Sequence, residues 1–239
     1  MAASRLPHHI SAQFDNELEE LRSKVLAMGG LVEEQLGNAI QAMIASDTEL
    51  AEHVAGLDYR VNTMEVEIDE ECATILARRQ PTASDLRLVL AVSKTITDLE
   101  RIGDEAERIG RMVMKLIVTE APKSYYSGMQ MLGDHVRRML HEGLDTFARM
   151  DSEAAFKVAA EDQAVDREYE AILRQLITYM MEDPRSITEV MDAIWAVRSL
   201  ERIGDHVINI CEYVIYLVEG KDVRHTSLEE IEREIQTRE

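Results

Sequence analysis

Proline and glycine are scarce, with 4 and 11 in 239 residues, and aromatic residues make up only 5%. Sandwiches and barrels need many turns and favour aromatic and β-branched residues, so this composition excludes an all-β fold and argues for helices. Cysteine is almost missing as well. Cys72 and Cys211 form no C-x-x-C and no cluster with histidine. Two isolated thiols suit a reducing compartment, and each falls on an apolar helical stripe as a core residue. No apolar run approaches the ~20 residues of a membrane span; Val214 to Val218 is among the longest. Met1 to Ile10 lacks the apolar region of a signal peptide. Basic charge is short too, with 26 Lys and Arg against 46 Asp and Glu, a net charge of −20. The longest basic runs are the pairs Arg78-Arg79 and Arg137-Arg138. Nucleic-acid affinity comes mainly from neutralising phosphates, so direct nucleic-acid binding is excluded. The expectation is a soluble cytoplasmic protein that reaches a membrane only through its partners.

What is present is helical periodicity. Long amphipathic helices are expected near 11–46, 48–79, 83–118, 127–150, 152–181 and 186–219. Asp47 and Asp151 each open a segment and can serve as N-caps. Pro81 and Pro184 lack an amide donor and push the preceding residue out of the helical region, so each ends a helix. Gly220 follows the last apolar stripe, where a glycine in the left-handed conformation is expected. The charged tail from Thr226 to Glu239 has Leu228, Ile231 and Ile235 on one side, as a short docking helix or a fraying end.

The strongest organisational signal is an internal repeat. Leu99-Glu100-Arg101-Ile102-Gly103-Asp104 recurs unchanged as Leu200-Glu201-Arg202-Ile203-Gly204-Asp205. The apolar positions Val92, Thr95, Leu99, Ile102, Ala106, Ile109, Val113 and Leu116 are matched by Ala193, Ala196, Leu200, Ile203, Val207, Ile210, Val214 and Leu217. Upstream, Val54, Asp58, Val61, Ile68 and Cys72 match Val158, Asp162, Val165, Ile172 and Leu176. The fold class is therefore all-α, a tandem repeat of two antiparallel three-helix bundles. The first bundle spans 11–118 and the second 127–220, with a connector at 119–126 and tails at 1–10 and 221–239.

With Leu99 set at zero and about 100° per residue, Ile102 and Ala106 point inward and Gly103 lies at the edge, where a neighbouring helix can approach. Glu100 and Asp104, and likewise Glu201 and Asp205, fall on an outward face one turn apart. Carboxylates at i, i+4 repel, yet the same pair stands in both halves. Asp58, Asn62, Glu65 and Asp69 lie on one flank of the second helix, and Asp162 and Asp166 on the fifth. Adjacent helices thus bring several oxygen ligands together, suited to a hard ion such as Mg²⁺, Mn²⁺ or iron, or else form a plain solvated acidic face. Around the motif the halves drift: Glu105 stands against His206 and Arg108 against Asn209. Catalytic signatures are missing. No histidine has a glutamate three residues before it, against a di-iron bundle. There is no H-E-x-x-H, P-loop or G-x-G-x-x-G, and nothing points to a Ser-His-Asp triad. Gly29-Gly30 inside an apolar helix reads as a close-packing point.

The hexapeptide in each half resembles the PhoU family, as do HISAQFDNELEELRSKVLAMGG, IDEECATILARRQPTASDLRLV and TYMMEDPRSI with CEYVIYLVEGKDVRH. The resemblance runs from His9 to about His225. It implies tandem three-helix bundles, usually dimeric, with an E(D)xxxD motif in each bundle that binds metal. That motif falls on Glu100 with Asp104 and on Glu201 with Asp205. Asp58 with Asn62, and Asp162 with Asp166, occupy the assisting places on the neighbouring helix. The metals implied are divalent ions, Mg or Mn first, with iron or Zn open. The resemblance also implies a regulator and not an enzyme: a negative regulator of phosphate uptake and of the Pho regulon in phosphate homeostasis. It would couple the phosphate ABC transporter's ATPase subunit PstB to the sensor histidine kinase PhoR. Arg101 and Arg202, beside the carboxylates, would meet a partner's acidic residues or balance local charge. Two other readings stay open: a metal-storage or metal-dependent phosphohydrolase bundle, and an adaptor without metal.

Overall fold

A computed structural model of the chain describes residues 12–56, 58–81, 83–224 and 226, with the side chain of Asp58 outside that description. The tails at 1–10 and from Ser227 onward, with Leu228, Ile231 and Ile235, lie outside the described residues. Those described form eight α-helices and two short 3₁₀ turns, without a strand. Six helices are long: α1 (Ala12–Ala45), α3 (Asp58–Arg79), α4 (Ala83–Val118), α5 (Tyr126–Arg149), α7 (Asp162–Glu182) and α8 (Ile187–Glu219). Between them lie the eight-residue helices α2 (Thr48–Ala55) and α6 (Ser152–Ala159).

The expected helices over 48–79 and 152–181 are thus each interrupted, and at equivalent places. The amide of Gly56 bonds the carbonyl of His53, and that of Glu161 bonds Val158. These i→i−3 bonds tighten the turn and re-aim the chain before it becomes helical again. In the second half no glycine or proline marks the interruption, so the sequence carries little sign of it. The expected punctuation elsewhere is present. Asp47 accepts from Leu50 N at 3.0 Å and Asp151 from Ala154 N at 2.9 Å. Gly220 ends α8 with φ 73°.

Every residue of the two matched apolar stripes is buried, from Val92 to Leu116 and from Ala193 to Leu217. Their burial at about 25 cal/mol per Å² supplies the main drive for docking α4 and α8 into their bundles. Cys72 and Cys211 are free and buried, and burial pushes both thiols up to about 12.

The bundles lie side by side about an approximate two-fold axis. A Cβ on Gly29 of α1 would stand 2.5 Å from Leu144 of α5, and one on Gly133 of α5 would stand 3.0 Å from Ile40 of α1. Gly29 with Gly133, and Ile40 with Leu144, are equivalent positions of the repeat. Gly29 is therefore the close-packing point expected, whereas a Cβ on Gly30 would meet nothing within 4 Å. On the other side of the molecule α4 and α8 run antiparallel, with Glu105 paired to Arg202 and Lys115 to Asp192. The two hexapeptides meet near the middle of this crossing.

Candidate metal centre

Each hexapeptide glycine does the packing work expected of it. A Cβ on Gly103 would lie 3.4 Å from Val61 of α3, and one on Gly204 would lie 3.3 Å from Val165 of α7. The valines are repeat equivalents. Their contact draws the neighbouring helix close enough for its acidic flank to face the motif carboxylates.

In the second half this brings Asp162 and Asp166 of α7 into electrostatic reach of Glu201 and Asp205 of α8. Desolvation raises Asp162 above the ordinary carboxylate value, and Asp166 and Asp205 push it further. Glu201 is raised by burial first, then by Asp205 and Asp166, against Arg198 and Arg202. Asp205 is also raised, by desolvation and Asp166, against Arg198, His206 and Arg202. Four carboxylates thus repel one another at the α7–α8 seam.

Glu201 departs from expectation. It is only 8% exposed instead of outward-facing. Its Oε1 accepts from Arg198 Nη1 at 2.5 Å, and its buried Oε2 has no hydrogen-bond partner. Arg198 also lies over the ring of Tyr169, 5.8 Å from its centroid. Asp205 is exposed.

In the first half Glu100 is half-buried and Asp104 exposed. Asn62 is half-buried on the facing flank of α3. The positions equivalent to Tyr169 and Arg198 are Glu65 and Thr97, whose hydroxyl donates to Glu65 Oε1 at 3.3 Å. One turn on, Ser93 donates to Asp69 at 3.0 Å. The repeat therefore conserves the motif and changes its surroundings.

Among the described residues no three His, Cys, Asp or Glu side chains converge as a formed metal site. In kind, the second-half donors fit a hard cation: oxygen atoms only, mutually repelling, with one buried carboxylate oxygen unpaired. Glu201, Asp205, Asp162 and Asp166 are the residues that would hold it, with Glu100, Asp104 and Asn62 their counterparts.

Arg101 is exposed. Arg202 is instead committed within the molecule, its Nη1 2.8 Å from Glu105 Oε1, so local charge balance describes it. Glu105 also draws Arg108 to 3.5 Å.

Sequence reasoning missed a polar hub beside this pair. Asp98, 2% exposed, accepts from Asn209 Nδ2 at 3.1 Å and Tyr213 OH at 2.9 Å, and lies 2.7 Å from His206 Nδ1. These contacts pin α4 to α8. The signal was available: Glu105/His206 and Arg108/Asn209, read as drift, mark the face where the halves meet and must complement each other. His206 Nε2 makes no hydrogen bond, so the Asp98–His206 pair does not continue to a hydroxyl as a triad would.

Comparison with known proteins supplies the family context. The family model described as PhoU domain matches twice, over residues 25–113 and 129–214. The chain is 56% identical over 232 residues to the phosphate-specific transport system accessory protein PhoU homolog of Pseudomonas putida, covering 97% of this chain and 90% of that one. It is 50% identical over 233 residues to the phosphate-specific transport system accessory protein PhoU of Escherichia coli K12, covering 98% and 96%. The crystal structure of PhoU from Pseudomonas aeruginosa superposes with a TM-score of 0.85 at 54% identity, over 87% of this chain and 100% of that one. That of the phosphate transport system regulatory protein PhoU from Streptococcus pneumoniae gives 0.82 at 32% identity, over 88% and 99%.

Proposed function

The chain belongs to the PhoU family, and from that premise we propose that it is the regulatory accessory protein of a phosphate-specific transport system. Proteins of this family are regulators, and the chain is not an enzyme. In the proposed role it restrains the phosphate ABC transporter through the ATPase subunit PstB when phosphate is plentiful. It also holds the sensor kinase PhoR in its inhibitory mode, keeping the Pho regulon off. It works in the cytoplasm as a homodimer and meets the membrane through these partners. No described helix is long and apolar enough to cross a membrane, in keeping with that route.

The observation that carries the reading is the intact hexapeptide in both halves, set where each bundle's third helix meets an acidic neighbour. A divalent ion, Mg or Mn first, held by Glu100 and Asp104 and by Glu201 and Asp205, would supply positive charge on a strongly acidic surface. Partner docking then depends on metal, with exposed Arg101 adjoining the contact. The test is complementation. In a strain lacking its own family member, the chain restores repression of phosphate-starvation genes in phosphate-rich medium. The variant Glu100→Ala/Asp104→Ala/Glu201→Ala/Asp205→Ala, folded by circular dichroism, does not. Failure of the unaltered chain to repress overturns the regulatory reading, and repression by the folded variant overturns the metal-dependent part.

A further inference from the structure

Acidic residues dominate the chain, 46 against 26 basic, yet one stretch of its surface reverses the balance. The pairs Glu105–Arg202 and Lys115–Asp192 bracket part of the α4–α8 crossing, so residues 108–115 of α4 lie opposite 192–199 of α8. Across 101–118 and 187–204 the exposed charged residues are Arg101, Asp104, Arg108, Arg111, Lys115 and Arg198, five cations to one anion. Burial explains the excess. Arg108, Arg111, Lys115 and Arg198 keep 44–57% of their side chains exposed, while their paired carboxylates, on Glu105, Glu107, Asp192 and Glu201, keep only 4–16%. The counter-charges are sunk and the cations stand above them. Beside them α8 exposes an apolar row at one-turn spacing, Ile187, Met191 and Trp195, with the indole 49% exposed.

The shared framework of the repeat does not require this. The equivalents of Arg108, Arg111 and Lys115 are Asn209, Glu212 and Tyr216, and Trp195 is matched by Lys94. At that opposite end of the crossing, Lys94 Nζ lies over the rings of Tyr213 and Tyr216, 5.4 and 5.7 Å from their centroids, so cation and rings engage each other within the molecule. One of the two equivalent ends therefore combines exposed arginines with an exposed methionine and tryptophan, residue types enriched where proteins meet.

We propose that this end of the α4–α8 crossing is a docking surface for an acidic segment of a partner protein, which sets an apolar side chain against Met191 and Trp195 and carboxylates against Arg108, Arg111 and Lys115. The proposal rests on the regulatory reading above and adds the surface and the chemistry of what binds it. A second copy of the chain fits poorly, because a two-fold contact through this surface sets its cations against themselves. An anionic membrane fits poorly as well, since a flat bilayer also meets the surrounding charge of a chain that carries −20. An acidic segment meets the patch alone.

The test is binding of the immobilised full chain, in Mg²⁺, to the purified detergent-solubilised phosphate transporter and to the purified full-length sensor kinase. For at least one of them, Arg108→Gln/Arg111→Gln/Lys115→Gln weakens binding about tenfold, and the same three residues changed to Glu weaken it about a hundredfold. Trp195→Ala weakens it about tenfold. The control Arg138→Glu/Arg149→Glu/Lys157→Glu changes the net charge as much as the Glu variant, at exposed positions of α5 and α6, and stays within about twofold of the unaltered chain. Circular dichroism establishes that each variant is folded, and the Gln and Trp195→Ala variants carry the test if a charge reversal unfolds. Unchanged affinity of both of these for both partners overturns the surface alone, as does an equal loss in the control. Binding to phosphatidylglycerol vesicles that the Gln variant loses, with partner affinities unchanged, assigns the patch to a membrane and overturns it too. Binding of the unaltered chain to neither protein overturns the regulatory reading together with this one.

Discussion

Replacing Asp98 by alanine tests how the two bundles are held together. The carboxylate is almost fully buried at the α4–α8 crossing and bonds the side chains of Asn209 and Tyr213, with His206 2.7 Å away. Burying a carboxylate is unfavourable in itself, and its three partners offset that cost. Removing it leaves the Tyr213 hydroxyl and Asn209 amide half-buried, and the His206 ring buried, without their acceptor. A buried unpaired polar group costs about 1–3 kcal/mol, and breaking a buried charged cluster from one side about 3–5 kcal/mol. Asp98→Ala should therefore destabilise by about 3–5 kcal/mol, a large part of the ~5–15 kcal/mol typical of a folded domain. In a chain of this size that lowers the melting temperature by about 2–4 °C per kcal/mol. Urea unfolding followed by circular dichroism at 222 nm, together with Trp195 fluorescence from the second bundle, measures both the loss and its distribution. Because α1 and α5 also join the bundles, the loosened protein should show separated transitions by the two probes. Tyr213→Phe, removing one donor, should cost about 1 kcal/mol and couple non-additively with Asp98→Ala. A loss under about 1 kcal/mol for Asp98→Ala, or strict additivity, would refute the hub.

Three other outcomes follow from the packing and charge. Gly29→Ala forces Leu144 to move and should cost about 1–3 kcal/mol, whereas Gly30→Ala meets open space and should stabilise by up to about 1 kcal/mol; thermal melts separate the two. Asp47→Ala and Asp151→Ala each remove a helix cap and should cost about 1 kcal/mol in urea titrations, with no loss refuting the caps. Asp162, Glu201 and Asp205 have folded-state values above their unfolded ones, so the folded protein binds more protons in that window. Their contribution to stability therefore falls as pH rises through the window and stays lower at neutral pH. Asp205→Asn should raise the melting temperature slightly at pH 7, since the residue is exposed and its repulsion screened, and the gain should vanish on acidification. A gain that grows on acidification would reverse the sign of this argument.

Much of this architecture is legible from the residues. Leu99 to Asp104 and Leu200 to Asp205 set the register of the repeat, and the stripes threaded through them are buried throughout. Asp47, Asp151 and Gly220 act where their chemistry places them. The interruption at Ala160 and Glu161 was hidden because a tightened turn needs no special residue there. Glu201 was misplaced on an exposed face because an angle on one helix does not reveal how closely α7 approaches. The Asp98 hub was hidden for a related reason. A repeat aligns what the halves share, and an interface between them is built from what they do not share.

The claim that metal-loaded carboxylates govern docking is tested most directly by affinity capture from solubilised membranes of phosphate-replete cells, in Mg²⁺ and Mn²⁺ or in EDTA, read by mass spectrometry. The account predicts that the transporter ATPase subunit and the sensor kinase are both recovered with metal and both lost in EDTA. Equal recovery in EDTA would contradict the role of the carboxylates, and recovery of neither under any condition would contradict the regulator itself.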